Sequence, residues 1–177
     1  MTRRTLDALD RGLAAVFGED GLIPVAEAAR RLSVTAPTVR TRLKKLMADG
    51  VVRVVALVDP MRAASLTVAL VGVKLASHSQ LDEKLKQISE LDKVHWAAVV
   101  TGRYDILVEI VCTGATGDLY DFLDRDLSQV GGVLSSESFV VMKSRRKWLN
   151  LPPSVRRTFL EDNNRTRPTA ARKEETP

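Results

Sequence analysis

Residues 66–142 alternate short apolar, β-branched runs with stretches of helical period, and that order leaves few folds open to the chain. The run 66–75 is apolar at almost every position, as a strand covered on both faces requires. Leu81, Leu85, Ile88 and Leu91 then recur with period 3.6 and leave Asp82, Glu83, Lys84 and Lys86 to face water. Residues 94–100 and 106–111 read as a second and third strand, joined by Thr101-Gly102-Arg103-Tyr104-Asp105. Leu119, Phe122, Leu123 and Leu127 define a second helix that starts at Thr116 and ends at Gly131-Gly132, ahead of a last strand over 133–142. The order βαββαβ predicts a ferredoxin-like split βαβ motif, a four-stranded antiparallel sheet with both helices on one face. All four strands carry apolar residues on both faces. The helix-free face therefore needs a cover, and self-association is the economical one.

The first sixty residues follow a different period. Leu6, Leu9, Leu13 and Val16 predict an amphipathic helix over 5–17, closed by Gly18. Pro24 suits the first turn of a second helix, whose Ala28, Ala29 and Leu32 form a narrow face of small residues. Ser33-Val34-Thr35 makes a brief turn, with Thr35 placed to cap a third helix over 36–49 that tolerates Pro37 in its first turn and stops at Gly50. Two helices joined by so short a turn predict a helix-turn-helix. On the third helix Val39, Leu43, Leu46 and Met47 gather on one arc facing the core, while Thr38, Thr41, Lys44 and Lys45 point away from it. Arg40 and Arg42 lie at the edges of the apolar stripe, where Arg42 is also placed for an intramolecular ion pair. From Ala36 to Ala48 there are four basic residues and no acidic one, whereas a solvated helix gains from mixed signs through i,i+4 pairs. The asymmetry favours a phosphate-facing surface over an ordinary exposed basic face.

The Val-rich run 51–58 predicts an extended wing beside these helices, and Asp59-Pro60 breaks it. The expected fold class is α+β: a winged helix-turn-helix in residues 1–60, a hinge at 61–65, a ferredoxin-like domain at 66–147 and an extension at 148–177.

Charge is also divided unevenly along the chain. Residues 1–60 carry 10 basic and 7 acidic side chains, 61–142 carry 7 and 11, and 143–177 carry 10 and 4. A basic first segment, an acidic middle and a basic end place any contact with a polyanion at the two ends. The last residues are polar and rich in proline and charge, a composition that cannot bury enough surface to fold. With one cysteine, Cys112, two histidines and no CxxC pair, the chain offers neither an internal disulfide nor a metal-ligand spacing, and no cofactor is expected. Its longest uncharged stretch, residues 63–73, is too short to span a bilayer, so the expected location is the cytoplasm, at the nucleoid.

Two sets of residues resemble one family. Leu9-Asp10-Arg11, the stretch from Val34-Thr35-Ala36-Pro37 through Thr38-Val39-Arg40-Thr41-Arg42-Leu43-Lys44-Lys45-Leu46, and Asp49-Gly50-Val51-Val52 resemble the DNA-binding domain of the Lrp/AsnC (feast/famine) transcriptional regulators. Asp59-Pro60 matches that family's hinge. Thr101-Gly102-Arg103-Tyr104-Asp105 is similar to the glycine-x-tyrosine-aspartate loop of its effector domain, and the stretch from Gly132-Val133 through Ser136-Glu137-Ser138 to Lys143 is similar to its last strand. The resemblance covers residues 5–145. It implies a homo-oligomer, a dimer built through the effector-domain sheets and often a tetramer or octamer, that binds imperfect palindromes in double-stranded DNA. It also implies an amino acid or related small-molecule effector near Gly102, Tyr104 and Asp105, with Ser136 and Ser138 from the last strand. DNA contacts would come from Thr35, Pro37, Thr38, Arg40, Thr41, Arg42, Lys44 and Lys45. Two departures bear on effector identity: Ser138 stands where the family commonly has threonine, and Arg103 adds a cation to the loop.

The loop can also be read without the family. Gly102 permits a close backbone approach, Asp105 suits an ammonium and Arg103 a carboxylate, which together describe a zwitterion site. Gly plus Asp is equally ordinary hairpin chemistry, and Tyr104 can serve packing alone. A DNA-compacting oligomer without effector fits the same basic helix. Sirohaem decarboxylases share the architecture by resemblance, but the His-x-Tyr-x-Arg pattern associated with them is missing around His95-Trp96-Ala97-Ala98-Val99. A nucleophile elbow, a phosphate loop and paired carboxylates are missing too, so no catalysis is expected. His78 and His95 read as structural.

Overall fold

Asp7 starts the first helix by satisfying one of its open amides: Asp7 Oδ1 accepts a hydrogen bond from the Asp10 amide at 2.7 Å. From that cap α1 (Ala8–Glu19) runs past Gly18, the expected stop, because the Asp20 amide bonds back to the Val16 carbonyl and closes it later. Pro24 stands one residue ahead of α2 (Val25–Arg31), not inside its first turn. Ser33 turns the chain with a left-handed φ of 53°. Thr35 then caps α3 (Ala36–Ala48), its Oγ1 accepting from the Thr38 amide at 3.4 Å and sharing a 2.8 Å hydrogen bond with the Thr38 hydroxyl. Past the end of α3, Gly50 adopts a φ of 68°, a conformation that favours glycine.

These residues belong to a computed structural model that describes residues 5–63, 65–113 and 116–165, in two compact units, Met1–Ala56 and Leu57–Pro177. In the first unit Leu13, Ile23, Ala28, Ala29, Val39 and Leu46 form the core. Val39 and Leu46, seven residues apart, set the buried line of α3; Met47, expected beside them, lies one step round the helix and is 46% exposed. Residues 51–57 belong to no strand, so the expected wing is not built as a sheet. No strand of this unit lies among the described residues to pair with it, and the one bridge at the end of the run, Val58 with Leu149, falls in the second unit.

The second unit follows the predicted order. Its strands are β1 (Thr67–Leu75), β2 (Val94–Val99), β3 (Ile106–Cys112) and β4 (Val133–Val140), arranged β2-β3-β1-β4 with every neighbouring pair antiparallel. α4 (Leu81–Ser89) packs on one face. So does a second helix made of α5 (Thr116–Asp121), a π-helical segment Phe122–Leu127 and a last turn, α6 (Ser128–Val130). Ile88, Phe122 and Leu127 meet Val71, Val73, Ile106, Val108 and Ile110 there to form the larger core.

The other face is not left for a second copy alone. A helix that the sequence did not announce, α7 (Pro153–Arg165), follows a segment in which Leu149 is buried, and Leu149 and Val155 pack on Leu66, Val68 and Val111. Val58 and Leu149 exchange backbone N–H···O bonds at 2.8 and 3.0 Å. Self-association was the expected cover for this face; the chain's own C-terminal segment supplies part of it. The last residues, expected not to fold, are helical as far as Arg165, and the tail beyond Arg165 falls outside the described residues. Leu149→Ala empties a fully buried site under that segment and should lower unfolding free energy by about 2–5 kcal/mol, read from the denaturant midpoint.

Candidate DNA-reading helix and loop cavity

Arg40, Thr41, Lys44 and Lys45 are exposed on α3, with Thr35 and Pro37 exposed at its start and Thr38 half-buried behind the cap. Among the described residues the helix carries no acidic side chain to neutralise them. Arg42 differs from its neighbours: its Nη1 lies 2.6 Å from Asp7 Oδ2 and 3.2 Å from Asp10 Oδ1. Asp10 is almost wholly buried, so Arg42 stabilises a carboxylate that water does not reach and ties α3 to the start of α1. The Asp10 amide first, and then Arg42, hold the Asp7 carboxyl below the usual range, and the bond to Asp7 in turn raises the Arg42 guanidinium. Arg42 thus sets the pose of the helix from within, as its place at the stripe's edge allowed.

In the second unit the loop after β2 folds back over β1. A Cβ at Gly72 would lie 2.6 Å from the Tyr104 ring, so only glycine lets that ring sit on the strand. β1 pairs Gly72 with Glu137 on β4, and the Tyr104 hydroxyl donates to the Glu137 carboxylate. That bond, with burial adding to it, raises the Tyr104 hydroxyl above its ordinary range and keeps it a donor. Arg103 lies 5.5 Å from the ring centroid of Tyr104 and 3.3 Å from Glu137 Oε2.

Arg103, Tyr104 and Ser136 line a cavity of about 430 Å³ together with Lys74, Ser135 and Glu137. Of the predicted effector residues, Gly102, Asp105 and Ser138 are not part of that lining. Gly102 supplies a φ of 118° in the loop. Asp105 turns to the end of β1, where Oδ2 accepts from the Leu75 amide at 2.8 Å and Oδ1 lies 2.8 Å from His78 Nε2. The Leu75 amide first, and then His78, hold its carboxyl below the ordinary range. Sequence reasoning missed Lys74, Ser135 and Glu137. Strand alternation was the available signal, since Glu137 lies between Ser136 and Ser138 and so points to the face that Tyr104 covers.

Burial pushes the Cys112 thiol up to about 11, with Asp118 adding to the shift, so at neutral pH it is not a thiolate nucleophile. His95 Nδ1 lies 2.7 Å from Glu109 Oε1, and Lys147 bonds the other carboxylate oxygen. Among the described residues no His, Cys, Asp and Glu gather as a metal site, and no helix is long and apolar enough to cross a membrane.

A basic helix on a helix-turn-helix, followed in the same chain by a ferredoxin-like unit with a charged loop cavity, defines a two-domain regulator that joins DNA binding to ligand binding. The chain belongs to the Lrp/AsnC family of transcriptional regulators: residues 6–47 match the AsnC-type helix-turn-helix domain and residues 68–148 the Lrp/AsnC ligand binding domain. It is 31% identical over 144 residues to an uncharacterized HTH-type transcriptional regulator of Pyrococcus furiosus, covering 81% of this chain and 95% of that one. It is 29% identical to the HTH-type transcriptional regulator FL11 of Pyrococcus abyssi over 85% of this chain and 98% of FL11. The solved transcriptional regulator NMB0573 of Neisseria meningitidis, a complex with L-Met, shares the fold with a TM-score of 0.65 and 24% identity, over 84% of this chain and 97% of that one. The family consists of transcriptional regulators, not enzymes.

The Asp105 clamp has a pH signature. Its folded pKa is lowered, so the stabilisation is complete above the ordinary aspartate range and is lost as pH falls through that range toward the lowered value. Asp105→Asn removes the titrating group. Its thermal midpoint should fall less steeply on acidification than the wild type's in a pH series, and parallel curves would contradict the clamp.

Proposed function

We propose that the chain is a sequence-specific regulator that binds imperfect palindromes in double-stranded DNA as a homo-oligomer, at least a dimer and built up to a tetramer or octamer. It answers to an amino acid or related small metabolite, performs no catalysis and works in the cytoplasm on the nucleoid. Residues 1–60 bind DNA, 61–65 act as the hinge, 66–147 bind the effector and oligomerise, and 148–177 form an extension. The observation that carries this reading is α3, whose exposed surface of Arg40, Thr41, Lys44 and Lys45 is wholly basic or neutral on the second helix of a helix-turn-helix. In this reading Thr38 and Thr41 meet base edges, while Arg40, Lys44 and Lys45, with Thr35 and Pro37 at the helix start, lie along phosphates. Arg42 contributes by holding α3 against α1.

At the cavity, Lys74 and Arg103 suit a carboxylate and Glu137 an ammonium, the two ends of a zwitterion. Gly102 shapes the loop, Asp105 fixes it, and Ser136 and Ser138 offer hydroxyls along β4. The L-Met bound to the Neisseria regulator of like fold supports an amino-acid class of effector.

Lys45→Ala should weaken binding on every DNA sequence and lower the salt slope by about one, whereas Thr41→Ala should relax preference at one operator position by about 1–3 kcal/mol. Equal reductions on operator and random duplexes for both variants would leave a DNA-compacting protein that reads no bases. For assembly, light scattering at micromolar concentration should give a mass at least twice the 19.5 kDa of one chain; a 19.5 kDa particle would refute the oligomer.

A further inference from the structure

We propose that the loop leaving β4, Lys143-Ser144-Arg145-Arg146-Lys147, is a second surface for the DNA phosphate backbone, carried by the ligand-binding domain and separate from α3. Lys143, Arg145 and Arg146 are exposed, and none of them meets an acidic partner among the described residues. Four other cations of the same unit are taken up by local acids: Arg62 by Asp59, Lys93 by Asp126, Arg125 by Asp121 and Arg157 by Asp92. Residues 61–142 carry 7 basic and 11 acidic side chains, a field that repels a polyanion. A duplex can approach this unit favourably only where the sign reverses, and it reverses at this loop.

The loop is also held for presentation. On one side the Val141 amide bonds the Val68 carbonyl at 2.9 Å, and on the other Lys147 bonds buried Glu109 while Leu149 is fully buried. Between these anchors Arg146 adopts a φ of 58°, a left-handed conformation that glycine holds with less strain, yet the position carries a cation. Three exposed cations within four residues on a pinned turn fit a row of phosphates, and the helix-turn-helix of the same chain brings such a row to the molecule at high effective concentration. The contact adds affinity and extends the footprint without reading sequence.

The test uses the full-length protein with Lys143→Ala, Arg145→Ala and Arg146→Gly combined, the glycine preserving the left-handed backbone. Affinity for a random-sequence duplex of about six helical turns is measured across a salt series. The salt slope should fall by about 0.9 for each phosphate that is no longer neutralised, up to about three for the combined variant. Adding Lys45→Ala should lower it by about one more, as independent phosphate interactions require. An unchanged slope overturns the proposal. So does a change in oligomer mass by light scattering, which would make the loop an interface between copies of this chain.

Discussion

β1 and β3 are apolar on both faces, and the second unit is organised around covering them. On one side α4 and the interrupted helix from α5 to α6 close over Val71, Val73, Ile106, Val108 and Ile110. On the other side Leu66, Val68 and Val111 take Leu149 and Val155. Two buried faces of β-branched residues account for more of the folding free energy than any polar contact in the unit, at roughly 25 cal/mol per Å² removed from water. The position of the C-terminal segment follows from that need. β4, at the sheet edge with Phe139 46% exposed, keeps apolar surface that a second copy can bury.

The cavity is a by-product of the same central strand. Gly72 interrupts β1 where it passes Glu137 and so admits the Tyr104 ring; the ring positions a hydroxyl against Glu137, and Arg103 follows onto both. Asp105, one residue further, fastens the loop to the end of β1 through the Leu75 amide. Adjacent residues therefore divide two tasks. Arg103 and Tyr104 furnish the chemistry of the cavity, and Asp105 holds the backbone that presents them. A sequence motif that groups all three does not distinguish the parts, because the hydrogen-bond partners that separate them lie about thirty residues away in the chain.

The strand and helix order was legible in the sequence because hydrophobic period is local information, and α3 is bounded by a Thr35 cap and a Gly50 stop that reveal themselves locally. Long-range pairing was not legible in the same way. Arg42 could be placed at the edge of an apolar stripe, but its bond to Asp7 spans thirty-five residues and emerges only when α1 and α3 pack. The Val-rich run 51–57 has the composition of a strand and no neighbour to pair with, which propensity alone cannot reveal. α7 was missed because Leu149, Val155 and Phe159 are sparse among polar residues. Their importance lies in the uncovered sheet they meet.

Glu109 joins these strands of reasoning. It is a carboxylate only 3% exposed on the strand that also carries Val111, where an apolar residue would pack at less cost. Its two oxygens are taken by His95 and Lys147, one from the neighbouring strand and one from the segment that enters Trp148 and Leu149. A buried pair of this kind is weak evidence of net stability, since desolvating the charges offsets most of their attraction. Its geometric effect is stronger. Lys147 over Glu109 and the Val58–Leu149 backbone bonds together hold Leu149 in one register on the sheet, where apolar contacts alone would tolerate several. The bond to Glu109 also removes Lys147 from the basic run after β4 and leaves Lys143, Arg145 and Arg146 as the cations that face outward.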